Sequence, residues 1–461
     1  MKNIIAIRRE DLDKKGEQRV PVTPALVREL VASGHPVLVQ PGMHPVTREV
    51  KRAHADLLFE QAGASIQEDI REARIILGLK EIALEAIFPG KVYCCFSHTH
   101  KGQLKNRQLL QTFVEKDATL IDYELITNAG GERTLTAFTY YAGYAGMIDT
   151  LWAYGQRQQL QGKAHPFTVV PQAIAHGNLA ATKRLLRELR EVIEREVLPA
   201  DEPPFINLVM GNGKTSKGAQ EIFGLLPVKR ILPQEMEKTY RSGSRNCLYE
   251  CVMGIGDMFR PKEGTPVTPD AWASMDPAAR EAAYMAYPED FESNLAPYLP
   301  YATIAMNCIT WSPRYPRTVT KDILRRAWEF RPTLQVIGDI SCDPNGAVEF
   351  SRDTWIDDPV FLYHPLLETS TPGMAGDGVA VMAVTNLPCE FSLDSSEQFA
   401  MDLEPLLHSL VAADFDGSLE GSGLDDALKR GVILWRGNFP RPFEYMRDYI
   451  SASVENGRVR V

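Results

Sequence analysis

From Ile4 to Asp122 short apolar runs alternate with segments of helical periodicity, and no other feature constrains the fold as much. Ile4–Ile7 reads as a strand. Thr23–Ser33 (TPALVRELVAS) spaces its apolar residues as a helix does, with Thr23 at the N-cap and Pro24 at the first helical position. Gly34 closes that helix and Pro36–Val39 opens the next strand. Ala55–Ala62 reads as a helix, and Ile75–Leu79, Tyr93–Ser97 and Thr119–Asp122 read as strands. Parallel strands need crossover connections, usually helical, so this alternation predicts a parallel sheet with helices on both faces.

A chain of 461 residues exceeds one ordinary domain and suits two. The segment Phe138–Met147 (FTYYAGYAGM), rich in small and aromatic residues, reads as the crossing between them. Ala180–Val197 is a charged amphipathic helix ending at Pro199, and Phe205–Met210 starts a second α/β region. Arg241–Tyr298 has weak periodicity and reads as a partly helical insertion. Strand signals return at Ala302–Ile309, Thr333–Ile340 and Val379–Val384, and helical ones at Ser395–Ala412 and Asp425–Gly431.

The net charge of −10 argues against a nucleic-acid partner, because binding phosphate needs a surplus of cations. The seven cysteines show no C-x-x-C, which suggests neither a disulfide framework nor a metal site and fits a reducing, cytoplasmic setting. No apolar run approaches the roughly 18–20 residues of a membrane span, and the one at the N-terminus is too short for a signal sequence. Oligomeric state stays open, a homo-oligomer included.

Directly after Phe205–Met210 comes Gly211-Asn212-Gly213-Lys214-Thr215-Ser216-Lys217-Gly218, then the helical run AQEIFGLL. A strand, a glycine turn and a helix in that order suit a dinucleotide. Glycines let the backbone approach the pyrophosphate, and the helix N-terminus offers N–H groups and partial positive charge. The spacing is G-x-G-x-x-x-x-G rather than G-x-G-x-x-G, so position between strand and helix carries the reading. The next strand, Val228–Leu232, is expected to end near the adenosine ribose. It offers no acid for a ribose hydroxyl but has Lys229 and Arg230 beside it, which favours NADP over NAD.

Three segments of the first region set ionisable residues at strand ends: Glu17-Gln18-Arg19, Gly78-Leu79-Lys80-Glu81, and Phe96-Ser97-His98. Carboxyl ends of parallel strands are where open α/β sheets place ligands. With R-x-P-x-T-P and L-I-D-Y-E, these segments resemble the N-terminal domain of the alanine dehydrogenases and transhydrogenases. More closely they resemble the lysine-forming saccharopine dehydrogenases and the lysine–2-oxoglutarate reductase half of bifunctional aminoadipate-semialdehyde synthases. The resemblance runs on through YYAGYAGM, GNGKTSKGAQEIF, GDISCDPNGAVEF and TNLPCEFSLDSSEQF, and it does not include the saccharopine-oxidising half.

The resemblance implies an α/β fold of two Rossmann-like domains with parallel sheets and the active site in the cleft between them. Residues 1–145 and 386–461 would form the substrate domain, and 146–385 the dinucleotide domain with its insertion around 241–298. It implies Lys80 and His98 as an acid–base pair, Glu81 and Glu124 as carboxylates that tune it, Arg19 as the partner of a substrate carboxylate, and Glu17 as a further pocket carboxylate. Gly211, Gly213 and Gly218, with Lys214 and Ser216 in the same turn and Arg230 on the next strand, would bind the cofactor; Asp339 would lie near its nicotinamide side. No metal is implied. Thr385-Asn386-Leu387-Pro388 departs from the family, which often has an acid where Thr385 stands.

Reductive joining of lysine to 2-oxoglutarate needs a base for the incoming ammonium, which a histidine supplies near neutral pH. It also needs an acid to release water from the carbinolamine, which a lysine of depressed pKa supplies. Arginine suits the substrate carboxylates. Arg314 and Arg317 read more simply as solvated loop residues. Two other readings stay open: an alanine dehydrogenase type of enzyme using ammonia, and a non-catalytic cofactor-binding module.

Overall fold

The computed structural model describes residues 2–196, 198, 202–331, 333–451, 454–455 and 458–459. The chain divides into two compact units, residues 1–137 with 392–461, and residues 138–391.

In the first unit the expected strands form as β1 (Ile5–Ile7), β2 (Val37–Val39), β4 (Ile75–Leu77), β5 (Val92–Cys95) and β6 (Thr119–Asp122), and an unforeseen short strand, β3 (Ser65–Ile66), adds beyond β2. Among the described residues they pair in parallel in the order β6-β5-β4-β1-β2-β3. A further strand not foreseen from sequence, Val432–Leu434, adds antiparallel to β6. The central strands are buried on both faces, which is why they read as continuous apolar runs. The helix Pro24–Ala32 buries Leu26, Val27 and Leu30, and Pro24 starts it, although the Thr23 side chain makes no cap bond. The helix Ser392–Ala412 belongs to this unit and sets Phe399 against Phe96 and Tyr123. Each such buried ring is worth roughly 1.5–3 kcal/mol.

The second unit contains β7 (Ile206–Met210), β8 (Val228–Arg230), β9 (Leu248–Met253), the antiparallel pair β10 (Phe259–Pro261) and β11 (Phe291–Ser293), then β12 (Ile304–Asn307), β13 (Val336–Asp339), β14 (Val360–His364), β15 (Thr369–Pro372) and β16 (Val379–Met382). Among the described residues its main sheet runs β15-β14-β16-β13-β12-β7-β9-β8. All pairs from β16 to β8 are parallel, while β14 and β15 are antiparallel additions.

Three expectations are corrected here. The insertion around 241–298 is not wholly outside the sheet, because it contains β9, which lies directly against β7. Only the part after β9 stands apart, packed around Trp272, Tyr284 and Phe291. The strand after the glycine turn, β8, is consequently an edge strand and not the neighbour of β7. The change between units falls at residues 137/138 and 391/392 instead of 145/146 and 385/386.

That last shift has a packing cause. Phe138–Met147 is the first part of a long helix, Ala137–Leu160. Gly143 on it meets the helix Lys214–Phe223 so closely that a Cβ would be driven into the Thr215 carbonyl oxygen. Elsewhere the expected helix Ala180–Val197 runs Leu179–Glu196, with Val197 and Pro199 outside the described residues.

Candidate active site

At the carboxyl ends of β4, β5 and β6 the first unit gathers its ionisable residues into one connected set. Glu17 and Arg19 form a buried bidentate pair, with Arg19 Nε donating to Oε1 at 2.8 Å and Nη2 to Oε2 at 2.6 Å. Burial pushes the Glu17 carboxyl up, but Arg19 outweighs it, with help from Lys80, and holds the group at about 2. Lys80 is near enough to act on both Glu17 and Glu81. Glu81 lies 3.8 Å from His98 Nε2 and 3.4 Å from Lys14 Nζ. Its burial is outweighed by the pull of His98 and Lys14, so its carboxyl is also held down.

His98 links the second half of the set. Its Nδ1 lies 3.1 Å from Glu124 Oε2, and its ring stacks on Phe96 with centroids 6.4 Å apart. Glu124 also meets Lys101 at 2.9 Å and Arg133 at 3.6 Å. Burial would raise its carboxyl, but His98 and Lys101 hold it well below the usual carboxylate range. His100, Asp122 and Glu124 bring possible ligand atoms within 4.8 Å of one another. Lys101 and Arg133 already supply positive charge to that corner, so the cluster is neutralised by side chains.

Two residues that hold this set in place were not singled out from sequence. Glu10 is buried, and its two oxygens accept from Leu79 N at 2.8 Å and Lys80 N at 3.0 Å. Burial raises its carboxyl, against the pull of Arg8. Asp122, fully buried at the end of β6, accepts from Ser97 N at 2.9 Å, Ser97 Oγ at 2.6 Å, His98 N at 3.2 Å and Glu124 N at 2.8 Å. His98 has φ +52°, a left-handed conformation that costs a non-glycine residue energy and persists only where surroundings fix it. Asp122, together with Asn106 donating to the His98 carbonyl at 3.3 Å, supplies that fixation.

In the second unit the glycine turn is built as a cradle. Gly211 sits at φ +106°, and a Cβ there would meet Ile309 Cγ2 at 2.8 Å. Gly213 is the N-cap of the helix Lys214–Phe223; no side chain caps it, and nothing lies within 4 Å of where its Cβ would be. A helix N-terminus without a side-chain cap, next to open space at Gly213, fits a pyrophosphate. Lys214 begins that helix, while Ser216 is fully buried and accepts from Gln220 Nε2 at 2.8 Å.

Gly218, expected in the cofactor turn, has a packing role in the structure. It packs against the Ala137–Leu160 helix, where a Cβ would collide with the Tyr140 carbonyl oxygen. Arg230, on the edge strand, is exposed and turns to Gln220 at 3.1 Å and Glu250 at 3.5 Å. Asp339, at the end of β13, is buried and accepts from Asn307 Nδ2 at 2.8 Å and Cys342 N at 3.2 Å. Burial raises its carboxyl to about 6, against the Asn307 bond. Arg314 and Arg317 donate to main-chain carbonyls of Met285, Ala286 and Asn345.

A parallel sheet whose strand ends carry such a set belongs to a recognisable class. Residues 6–145 match the alanine dehydrogenase/PNT N-terminal domain family. By sequence the chain is a relative of the α-aminoadipic semialdehyde synthases and the L-lysine-forming saccharopine dehydrogenases.

The Arabidopsis thaliana protein named alpha-aminoadipic semialdehyde synthase is 34% identical over 451 residues, covering 94% of this chain and 40% of that protein. The chain spans less than half the length of the synthases it matches. Saccharopine dehydrogenase [NAD(+), L-lysine-forming] of Emericella nidulans is 25% identical over 412 residues, covering 86% of this chain and 90% of that protein. In fold the chain is similar to a solved L-alanine dehydrogenase, with a TM-score of 0.62, 16% identity, and coverage of 97% and 99% of the two chains. Two Rossmann-like domains therefore describe the architecture. No helix among the described residues is long and apolar enough to cross a membrane.

Proposed function

We propose that the chain is a lysine–2-oxoglutarate reductase, an oxidoreductase acting on CH–NH groups that joins L-lysine to 2-oxoglutarate as saccharopine, or runs the reverse. The observation that carries this reading is the continuous set Arg19–Glu17–Lys80–Glu81–His98–Glu124, an acid–base pair enclosed by carboxylates. The lysine chemistry in the names of the sequence relatives supports the choice of substrates.

In this reading His98 takes a proton from the lysine ε-ammonium, and Glu124 stabilises the imidazolium that results. The amine attacks the 2-oxo carbon of 2-oxoglutarate. Lys80 donates the proton with which the carbinolamine hydroxyl departs as water, leaving an imine between the two substrates. When bound, a reduced nicotinamide dinucleotide would supply the hydride that the imine carbon needs. Glu17 fixes the plane of Arg19, which binds a substrate carboxylate. Glu81 lies beside both Lys80 and His98 and couples their protonation. Gly211, Gly213 and Lys214 would hold the dinucleotide, Ser216 braces the first turn of that helix, and Asp339 would lie near the nicotinamide side.

The NADP preference expected from Lys229 and Arg230 is weakened by the strand order, which puts both on the sheet edge. A reducing, cytoplasmic setting is part of the proposal, in keeping with cysteines that form no disulfide among the described residues, six of the seven being buried.

The test is a spectrophotometric screen of NADH and NADPH oxidation across amine and 2-oxoacid pairs. Oxidation that needs both lysine and 2-oxoglutarate is expected. Equal turnover with ammonium and pyruvate would move the assignment to the alanine dehydrogenase type.

A further inference from the structure

The carboxyl ends of β7 and β9 lie side by side. Their parallel register ends at Met210 opposite Met253, and Gly211 N donates to the Met253 carbonyl at 2.9 Å. In a dinucleotide-binding sheet the adenosine ribose falls at the end of the strand next to the glycine-turn strand, once the pyrophosphate sits on the helix N-terminus. Chain order would make that strand β8. The sheet makes it β9.

Beyond β9 the chain continues as Gly254-Ile255-Gly256-Asp257. Asp257 Oδ2 accepts from Gly254 N at 3.1 Å, which folds the carboxylate back over the strand end. A Cβ on Gly254 would lie 3.9 Å from that oxygen and 3.7 Å from Nδ2 of Asn212, in the glycine turn itself. The carboxylate therefore stands beside the cradle. The Arg280 side chain packs over Gly256, but its Nε and Nη2 donate to the carbonyls of Trp272 and Ala273 at 2.8 and 2.9 Å.

The geometry points to Asp257 as the residue that selects the dinucleotide, its carboxylate accepting from the ribose 2′-hydroxyl of NAD(H) and repelling the 2′-phosphate of NADP(H). This inference rests on the reading of the Gly211–Gly213 turn as a dinucleotide cradle. It reverses the preference that Lys229 and Arg230 suggest from sequence. A side chain that both accepts from one ligand and repels the other discriminates from two directions, and the charge-assisted bond alone is worth about 10- to 100-fold.

The experiment is direct titration of NADH and NADPH, followed by ligand fluorescence, on the full chain and on Asp257→Asn, Asp257→Glu and the double variant Lys229→Ala/Arg230→Ala. NADH is expected to bind at least about tenfold more tightly than NADPH to the parent chain. Asp257→Asn should close that ratio by about 10- to 100-fold, Asp257→Glu should keep the NADH preference, and the double variant should leave it unchanged. A parent chain that binds NADPH as tightly as NADH or tighter would overturn the inference, as would a ratio unmoved by Asp257→Asn or shifted by the double variant. These results would leave the cradle intact. Failure of both dinucleotides to bind would overturn the cradle reading and this inference together.

Discussion

The two units place different chemistry at the ends of similar sheets. In the first, the order β6-β5-β4-β1-β2-β3 brings carboxylates, two histidines and lysines to the strand ends, with Glu81 and Glu124 both beside His98. In the second, the end of β7 and the end of β9 offer glycines, a helix N-terminus without a side-chain cap and one carboxylate. The proposed proton transfer would need groups whose charge states are set by neighbours, which the crowded first set offers. The proposed dinucleotide would need backbone access for its phosphates, which the glycine turn of the second offers. The same contrast separates a site fixed by side chains from one fixed by helix packing.

The sharpest break of that contrast is expected in the packing beneath the cradle. Gly143→Val would force a branched side chain into the Thr215 carbonyl, on the helix that presents the cradle. A loss of more than about 4 kcal/mol from the second unit is expected, read as a drop in the denaturant midpoint. A variant as stable as the parent would mean that the two helices do not meet as described.

In the first unit the corresponding support is Asp122. Asp122→Asn keeps the shape but gives up the charge that holds Ser97, His98 and Glu124. Turnover is expected to fall about 10- to 100-fold, since small misplacements of a catalytic group cost that much. Dinucleotide affinity should stay at the parent value. Loss of affinity in step with turnover would show that Asp122 supports the fold in general.

The smallest effect expected is on stability, at Glu250. This buried residue in the middle of β9 has its carboxyl raised by burial to about 7, against the pull of Arg230. A carboxyl raised above its unfolded value contributes stability below that value and loses it as pH rises through the folded pKa. Glu250→Gln cannot ionise, so it should match the parent near about pH 5 and exceed it in Tm by about 2–4 °C near about pH 8.5. A Tm gain that does not change with pH would show that Glu250 does not titrate in that range.

Legibility in the sequence divides along the same line. The central strands of the first sheet read directly because β1, β2 and β4 are uninterrupted apolar runs and β5 nearly so, whereas the two-residue β3 and the late strand Val432–Leu434 carry no such signal. β9 does not read directly, because LYECVM carries Glu250 in its middle, and a buried acid breaks the run that signals a strand. Missing β9 misplaced β8 and with it the reasoning about the ribose. Lys80, His98 and Glu124 were visible as charges at strand ends or through resemblance. Glu10 and Asp122 were not, since their partners lie up to 70 and 25 positions away in the chain and nothing local marks them. Gly218 was visible as a glycine, but its partner is another helix.

The central claim is that proton transfer belongs to the first unit and dinucleotide binding to the second. The most direct measurement pairs turnover and NADH affinity on two variants, Lys80→Met and Gly213→Val. Lys80→Met should lower kcat with lysine and 2-oxoglutarate by about 10²–10⁴-fold and leave the Kd for NADH unchanged. Gly213→Val should weaken NADH binding by filling the open space at the helix N-terminus. Full kcat in Lys80→Met, or unchanged NADH affinity in Gly213→Val, would contradict the account.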